Sequence, residues 1–294
     1  MFLRQGESSM KSSRRAMGLT LVELMVGILV GMILMTAVIS VYVASLRSNS
    51  AVLTMAQLNH EVRSVAEIVA NDIRRAGFDN ITNNRTLGDL QNDYDRIVIS
   101  NTGDCVRFGY NRDVAALESF GFRRAVRSDG VGVVEMKFAA DDTTCADWGS
   151  SNSAALTDER RVDITVFRLR TSDPDAPSDP DDPSAEGSRC FNLPLRGPAE
   201  KAPEPLDTWS WLAQDTTSFP CDREDIGDPD APLPGLQNTE DSDLLIEHRQ
   251  LFLTVTGRST TPAGRAGADQ PLETTITTEI RVPNNRRLLA TVSP

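Results

Sequence analysis

The chain has 294 residues, with 30 Lys and Arg against 42 Asp and Glu, and a formal net charge of −12 at pH 7. That balance disfavours a nucleic-acid partner, because the phosphate backbone would be repelled. Two histidines, His60 and His248, and four cysteines without a C-x-x-C spacing give no zinc pattern. G-x-S-x-G, H-E-x-x-H, P-loop and dinucleotide fingerprints are all lacking, so no enzymatic activity, cofactor or metal is expected.

Residues 1–18 carry Arg4, Lys11, Arg14 and Arg15 against Glu7, which makes the start of the chain basic and the remainder acidic. From Leu19 to Val43 the chain is apolar with Glu23 as its only charge. That run exceeds the ~20 apolar residues needed to cross a bilayer. By the positive-inside rule the basic leader stays cytoplasmic and the bulk of the chain is exported. A carboxylate within a membrane segment costs about 2.5–3.5 kcal/mol on insertion scales, so Glu23 calls for a partner. The run is too long for an ordinary signal core, and no A-x-A cleavage site comes after it.

Gly18-Leu19-Thr20-Leu21-Val22-Glu23-Leu24-Met25-Val26 closely resembles the prepilin motif of type IV pilins and type II secretion pseudopilins. The resemblance implies cleavage between Gly18 and Leu19 by a membrane prepilin peptidase, and N-methylation of the new terminus. Leu19 departs from the phenylalanine usual at the first mature position. The resemblance further implies that Glu23 pairs with the terminal amine of a neighbouring subunit during assembly. A glutamate snorkelling to the membrane surface is the plainer alternative, since Glu23 lies only a turn from Leu19.

No Pro or Gly occurs between Met32 and Ala76, and apolar residues recur at Val52, Met55, Leu58, Val62, Val65, Val69, Ile73 and Ala76. Steps of three and four predict one face of an α-helix. The expected helix runs from Leu19 to Ala76: a transmembrane half over 19–43, an amphipathic half over 44–78, a Gly77 cap, and Arg74 and Arg75 in its last turn. Gly27 and Gly31 form a G-x-x-x-G pattern, read here as a soft point rather than a dimer site. Asn71-Asp-Ile-Arg-Arg-Ala-Gly-Phe78 resembles the helix end of the PilW-type minor pilins, with Phe78 expected to fold back onto the helix.

Residues 79–294 are expected to form a β-rich head, periplasmic and then extracellular. Asp95–Ser100 and Cys105–Tyr110 flank a Gly103 turn; Phe120–Val126 and Val131–Ala139 flank Ser128-Asp129-Gly130-Val131. Arg161–Arg170 alternates until its phase shifts at Phe167. Glu247–Gly257 and Glu273–Val282 read as a final antiparallel pair, the latter's threonines favouring an edge strand. The acidic, proline-rich stretch 171–188 lacks the apolar content to order itself and is expected to be a disordered loop. Asp222–Asp243 reads as a second irregular loop. Arg123, Arg124 and Arg127 are strand-surface charges. The fold class expected is therefore α+β and type IV pilin-like, a long N-terminal helix on an antiparallel sheet with irregular loops.

Cys105, Cys145, Cys190 and Cys221 all lie beyond the membrane run, where two disulfides are expected among the three connectivities that four cysteines allow. The pairing expected is Cys105–Cys145 and Cys190–Cys221. Taken together, the resemblance implies a minor pilin of a type IV pilus, incorporated in the filament or its tip and initiation complex. Its partners would be the prepilin peptidase, other minor pilins and the major pilin, an inner-membrane assembly platform, and inner-membrane lipid before assembly. The alternative is a J-like type II secretion pseudopilin, and more remotely a membrane-anchored exported enzyme or binding protein.

Overall fold

The structure is a computed structural model that describes residues 20–78, 94, 96–111, 119–139, 145, 153–173, 187–193, 209–212, 217–222, 244–260 and 271–289. One helix, α1 (Leu21–Ile73), precedes the strands β1 (Ile97–Ile99), β2 (Cys105–Gly109), β3 (Ser119–Val126), β4 (Gly132–Ala139), β5 (Ser153–Ala155), β6 (Val162–Arg170), β7 (Arg189–Leu193), β8 (Trp209–Leu212), β9 (Leu244–Ser259) and β10 (Glu273–Leu289). This is the α+β, pilin-like architecture: a long apolar N-terminal helix with antiparallel sheets. The chain divides into two compact units, Met1–Ser50 and Ala51–Pro294.

In the first unit, α1 is exposed on every side, with Leu21, Met25, Leu29, Met32 and Tyr42 among its open apolar residues. Such a helix suits lipid or other helices rather than water.

In the second unit the helix turns one face inward. Leu58, Val62, Val65, Ala66, Val69, Ala70 and Ile73 are buried, and Ala76 is buried just past the helix. Met55 packs against this core, but Val52 is 65 % exposed, so the buried face starts later than the apolar spacing predicted. Each Leu, Val or Ile side chain buried here contributes about 1.5–3 kcal/mol.

The helix ends differently from expectation. Arg74 donates the last α-type bond, to the Ala70 carbonyl; Arg75 and Ala76 then bond three residues back, to Asp72 and Ile73. Both arginines therefore lie beyond the helix, and their side chains reach Asn71 and Asp72 instead of free carbonyls. Gly77, at φ 76°, sends its N–H to the Gly109 carbonyl, and the Phe78 carbonyl accepts from Asn111. The end of β2 thus caps the helix. Phe78 stays 47 % exposed and does not fold back.

The strands form two sheets, where one antiparallel sheet was expected. The first runs β1-β2-β3-β4-β5, all antiparallel hairpin neighbours. The second runs β10-β9-β7-β8, with β6 also paired to β9. Strand β9 is long enough to hold β10 along one side and two strands along the other: β7 over 244–248 and β6 over 252–259. The phase shift seen in Arg161–Arg170 is a register shift between Ile164 and Val166, which leaves Thr165 as the extra residue of a bulge. Three strands, β5, β7 and β8, are only three to five residues long, too short for a strand pattern to be read from the sequence.

Strand β6 joins the sheets. Its Leu169 N–H bonds the Gly103 carbonyl at 2.8 Å, Arg124 Nε reaches the Ile164 carbonyl beside the bulge at 2.6 Å, and Asp163 Oδ1 accepts the Gly132 N–H at 2.7 Å. The core lies beneath the helix, with Val106, Phe108, Phe120, Phe122 and Val134 from the first sheet and Ile164, Leu169, Leu251, Leu253, Val255 and Ile280 from the second. Tyr110 and Phe120 stack at 4.1 Å between centroids.

Disulfides Cys105–Cys145 and Cys190–Cys221, with Cα atoms 6.1 and 5.2 Å apart, fasten loops to these sheets. Thr171 and Ser188 close the base of the acidic stretch by a backbone bond, aided by a bridge between Ser172 and Gly187. Residues 174–186 of that stretch, and 223–243 of the second, lie outside the described residues.

Candidate assembly site

Glu23 sits in the first turn of α1, where the helix still has unsatisfied N–H groups and the positive end of its dipole. Thr20 is the residue just before the helix, and its carbonyl accepts the first helical bond, from Leu24. The Thr20 hydroxyl accepts from the Glu23 N–H at 3.3 Å, while Glu23 Oε2 accepts from both the Thr20 N–H and hydroxyl at 3.1 Å. This reciprocal arrangement is a capping box. It fixes where the helix begins and gives the carboxylate a partner within its own chain.

Sequence reasoning assigned Glu23 but missed Thr20, although Thr-x-x-Glu before an apolar run is a readable signal. Both donors of Thr20 go to Oε2, so Oε1 has no partner among the described residues. Gly18 and Leu19 lie outside the described residues. Around Glu23, Leu21, Val22, Leu24 and Met25 are all exposed. The helix is long and apolar enough to cross a membrane by length and composition.

The four cysteines are all held in the two disulfides, and none is free. The arginines of β3 and its turn are engaged rather than clustered for a ligand: Arg123 and Arg127 pair with Glu135 at 3.0 and 3.2 Å, and Arg127 also with Glu159. His60 is exposed on α1, and His248 lies on β9 beside the Phe191 ring. Among the described residues no group of three or more His, Cys, Asp or Glu is placed to hold a metal ion.

The family described as prepilin peptidase-dependent protein B matches residues 51–282 of the chain. The chain belongs to that family. The match begins after the apolar run, so the head points to the family independently of the motif around Glu23. Membership makes the chain a pilin-like protein related to type IV pili, with a prepilin peptidase as a partner, and its apolar helix makes it membrane-anchored. Comparison with curated proteins and with solved structures finds no match.

Proposed function

We propose that this member of the prepilin peptidase-dependent protein B family is a minor pilin of the PilW type, built into a type IV pilus or its tip and initiation complex and required for assembly. The peptidase removes residues 1–18 and the new Leu19 terminus is N-methylated. Before assembly the protein crosses the inner membrane once, with its start cytoplasmic and its head periplasmic. Other minor pilins, the major pilin and the inner-membrane assembly platform are its partners, and its role is structural rather than catalytic.

The observation that carries this reading is Glu23, the one charge in the exposed, apolar first half of α1, with one carboxylate oxygen open. Cleavage before Leu19 would create an α-amino group with a pKa near ~7.7–8.0, hence largely cationic. An ammonium and a carboxylate in apolar surroundings each require the other, because a lone buried charge is strongly destabilising. Thr20 holds one oxygen of Glu23, and the other is left for the terminus of a neighbouring subunit. The Asn71–Phe78 segment favours the PilW type over a J-like pseudopilin.

Intact mass and N-terminal analysis of the protein from its native membrane test the reading. A chain starting at N-methylated Leu19 is expected; one starting at Met1 in cells with active peptidase overturns it. Deleting the gene should abolish surface pili; loss of type II secretion with normal pili would assign the pseudopilin alternative instead.

A further inference from the structure

Strand β10 ends the second sheet, and among the described residues β9 is its only partner. From Glu273 to Val282 that pairing is unbroken. The Ser259 N–H bonds the Leu272 carbonyl at 2.8 Å, which fixes the phase of the ladder. Residues of an antiparallel pair alternate between bonding the partner and turning their N–H and C=O away. Leu272, Thr274 and every second residue after them therefore bond β9, while Glu273, Thr275, Thr277, Glu279 and Arg281 turn outward. The far side of β9 agrees: Gln250 and Thr256, opposite Arg281 and Thr275, give their backbone groups to Ser188 and Thr165. Glu273, Thr275, Thr277 and Arg281 are exposed. A long open edge is normally blunted by Lys, Pro or a bulge. Here prolines stand only at the next outward positions, Pro271 and Pro283, where each lacks an N–H to give.

The two prolines lie equally far from Thr277, and the window between them is complementary to its own reverse. Laid antiparallel on itself about Thr277, it sets Glu273 opposite Arg281 twice and Thr275 opposite Glu279. Centring the pair one residue earlier sets Glu273 against Glu279, and like charges directly opposite are destabilising. Centring it one residue later sets Glu273 against Pro283, which cannot donate. We propose that β10 pairs antiparallel with β10 of a second copy of this chain, on a two-fold axis through Thr277. Arg281 already touches Glu279 at 2.5 Å, with its side chain 73 % exposed. A guanidinium presents several donors, so Glu273 of the second copy adds to that contact instead of displacing it. The axis stands perpendicular to the sheet and reverses every direction within it. Within the head α1 lies along the inner face, from Asn59 at Thr274 and Val62 at Gly257 to Gly77 at Gly109. The helices of the paired heads therefore run in opposite directions, whereas neighbours in one filament keep them parallel. The second copy thus belongs to an opposing filament. That placement rests on the pilin reading; the strand pairing does not.

The native cysteines are all in disulfides, so Thr277→Cys gives the full chain one free thiol. Opposed residues of a bonded antiparallel pair stand about 5.5 Å apart at Cα, within disulfide reach. In the detergent-solubilised full chain, oxidation with diamide should link Thr277→Cys as a dimer. Thr275→Cys, which faces Glu279, should stay monomeric alone and link when mixed with Glu279→Cys. No dimer of Thr277→Cys, or an equal yield from Thr275→Cys alone, would overturn the pairing. Cells carrying Thr277→Cys under two different tags are then mixed before oxidation. Dimers that join both tags are expected; dimers of one tag only would overturn the opposing placement and keep the strand pair. A chain that retains Met1 yet dimerises in detergent would fault the pilin reading and not the edge.

Discussion

Asp104 shows how one side chain secures a turn. It lies in the β1–β2 connection, where Gly103 has φ 74° and an added Cβ would stand 2.6 Å from the Leu169 carbonyl. Burial works against the charged form of Asp104, but hydrogen bonds from Thr102 and Ser100, its own backbone N–H and the nearby Arg124 outweigh it and hold its pKa below the ordinary 3.8. A carboxylate depressed in the folded state contributes stability above its unfolded pKa and loses it as pH falls through the folded value. Asp104 is exposed, so solvent screens the effect and it is modest. Thermal unfolding of the head should therefore weaken less steeply in Asp104→Asn than in the parent below about pH 4. Parallel melting curves from about pH 5 to pH 2 check this, and identical slopes would remove Asp104 from the account. Residue types alone signalled the turn through Gly103; the Ser100 and Thr102 hydroxyls around Asp104 became visible only when the chain was folded.

At the scale of elements, the junction at β6 depends on missing atoms as much as on bonds. A Cβ on Gly132 would lie 2.1 Å from the Ile164 carbonyl, the same oxygen that accepts from Arg124. That oxygen is backbone held beside a bulge and cannot turn aside. Gly132→Ala should destabilise the head by about 3 kcal/mol, the upper part of the range for overpacking. Urea unfolding measures it, and a midpoint unchanged from the parent would mean the junction can open at little cost. This junction also explains what was legible. Hairpins β1–β2 and β3–β4, and the long pair β9–β10, follow from local alternation and turn residues, and all stand where the spacing put them. The two-sheet arrangement does not follow, because it depends on β6 and β7 sharing β9, a pairing between residues far apart in the chain, such as Ser188 with Gln250 and Thr165 with Thr256. The phase shift at Phe167 was in the sequence, but its meaning as a bulge that exposes Ile164 to Arg124 needed the neighbouring sheet.

For the whole molecule, the central question is what Glu23 does for a chain that, on the proposed function, leaves the membrane and joins other subunits. Two roles would converge on the same carboxylate: it closes the capping box with Thr20, and on the proposed function its charge pairs with a neighbour's terminus. Glu23→Val removes both roles and cannot tell them apart. Glu23→Gln can, because glutamine also completes a capping box but carries no charge. If charge pairing drives assembly, Glu23→Gln should be inserted and cut after Gly18 as efficiently as the parent. It should nevertheless enter filaments at least about tenfold less, since a pair worth about 1.4 kcal/mol already accounts for that factor. Quantifying the protein in sheared pili against the membrane fraction supplies the readout. Should Glu23→Gln assemble like the parent while Glu23→Val fails, the cap and not the charge would be the contribution of this residue. The motif made Glu23 conspicuous because a lone carboxylate in an apolar run is costly. The cap moderates that cost within the single chain, which on the proposed function would let the charge wait in the membrane for a neighbour's terminus.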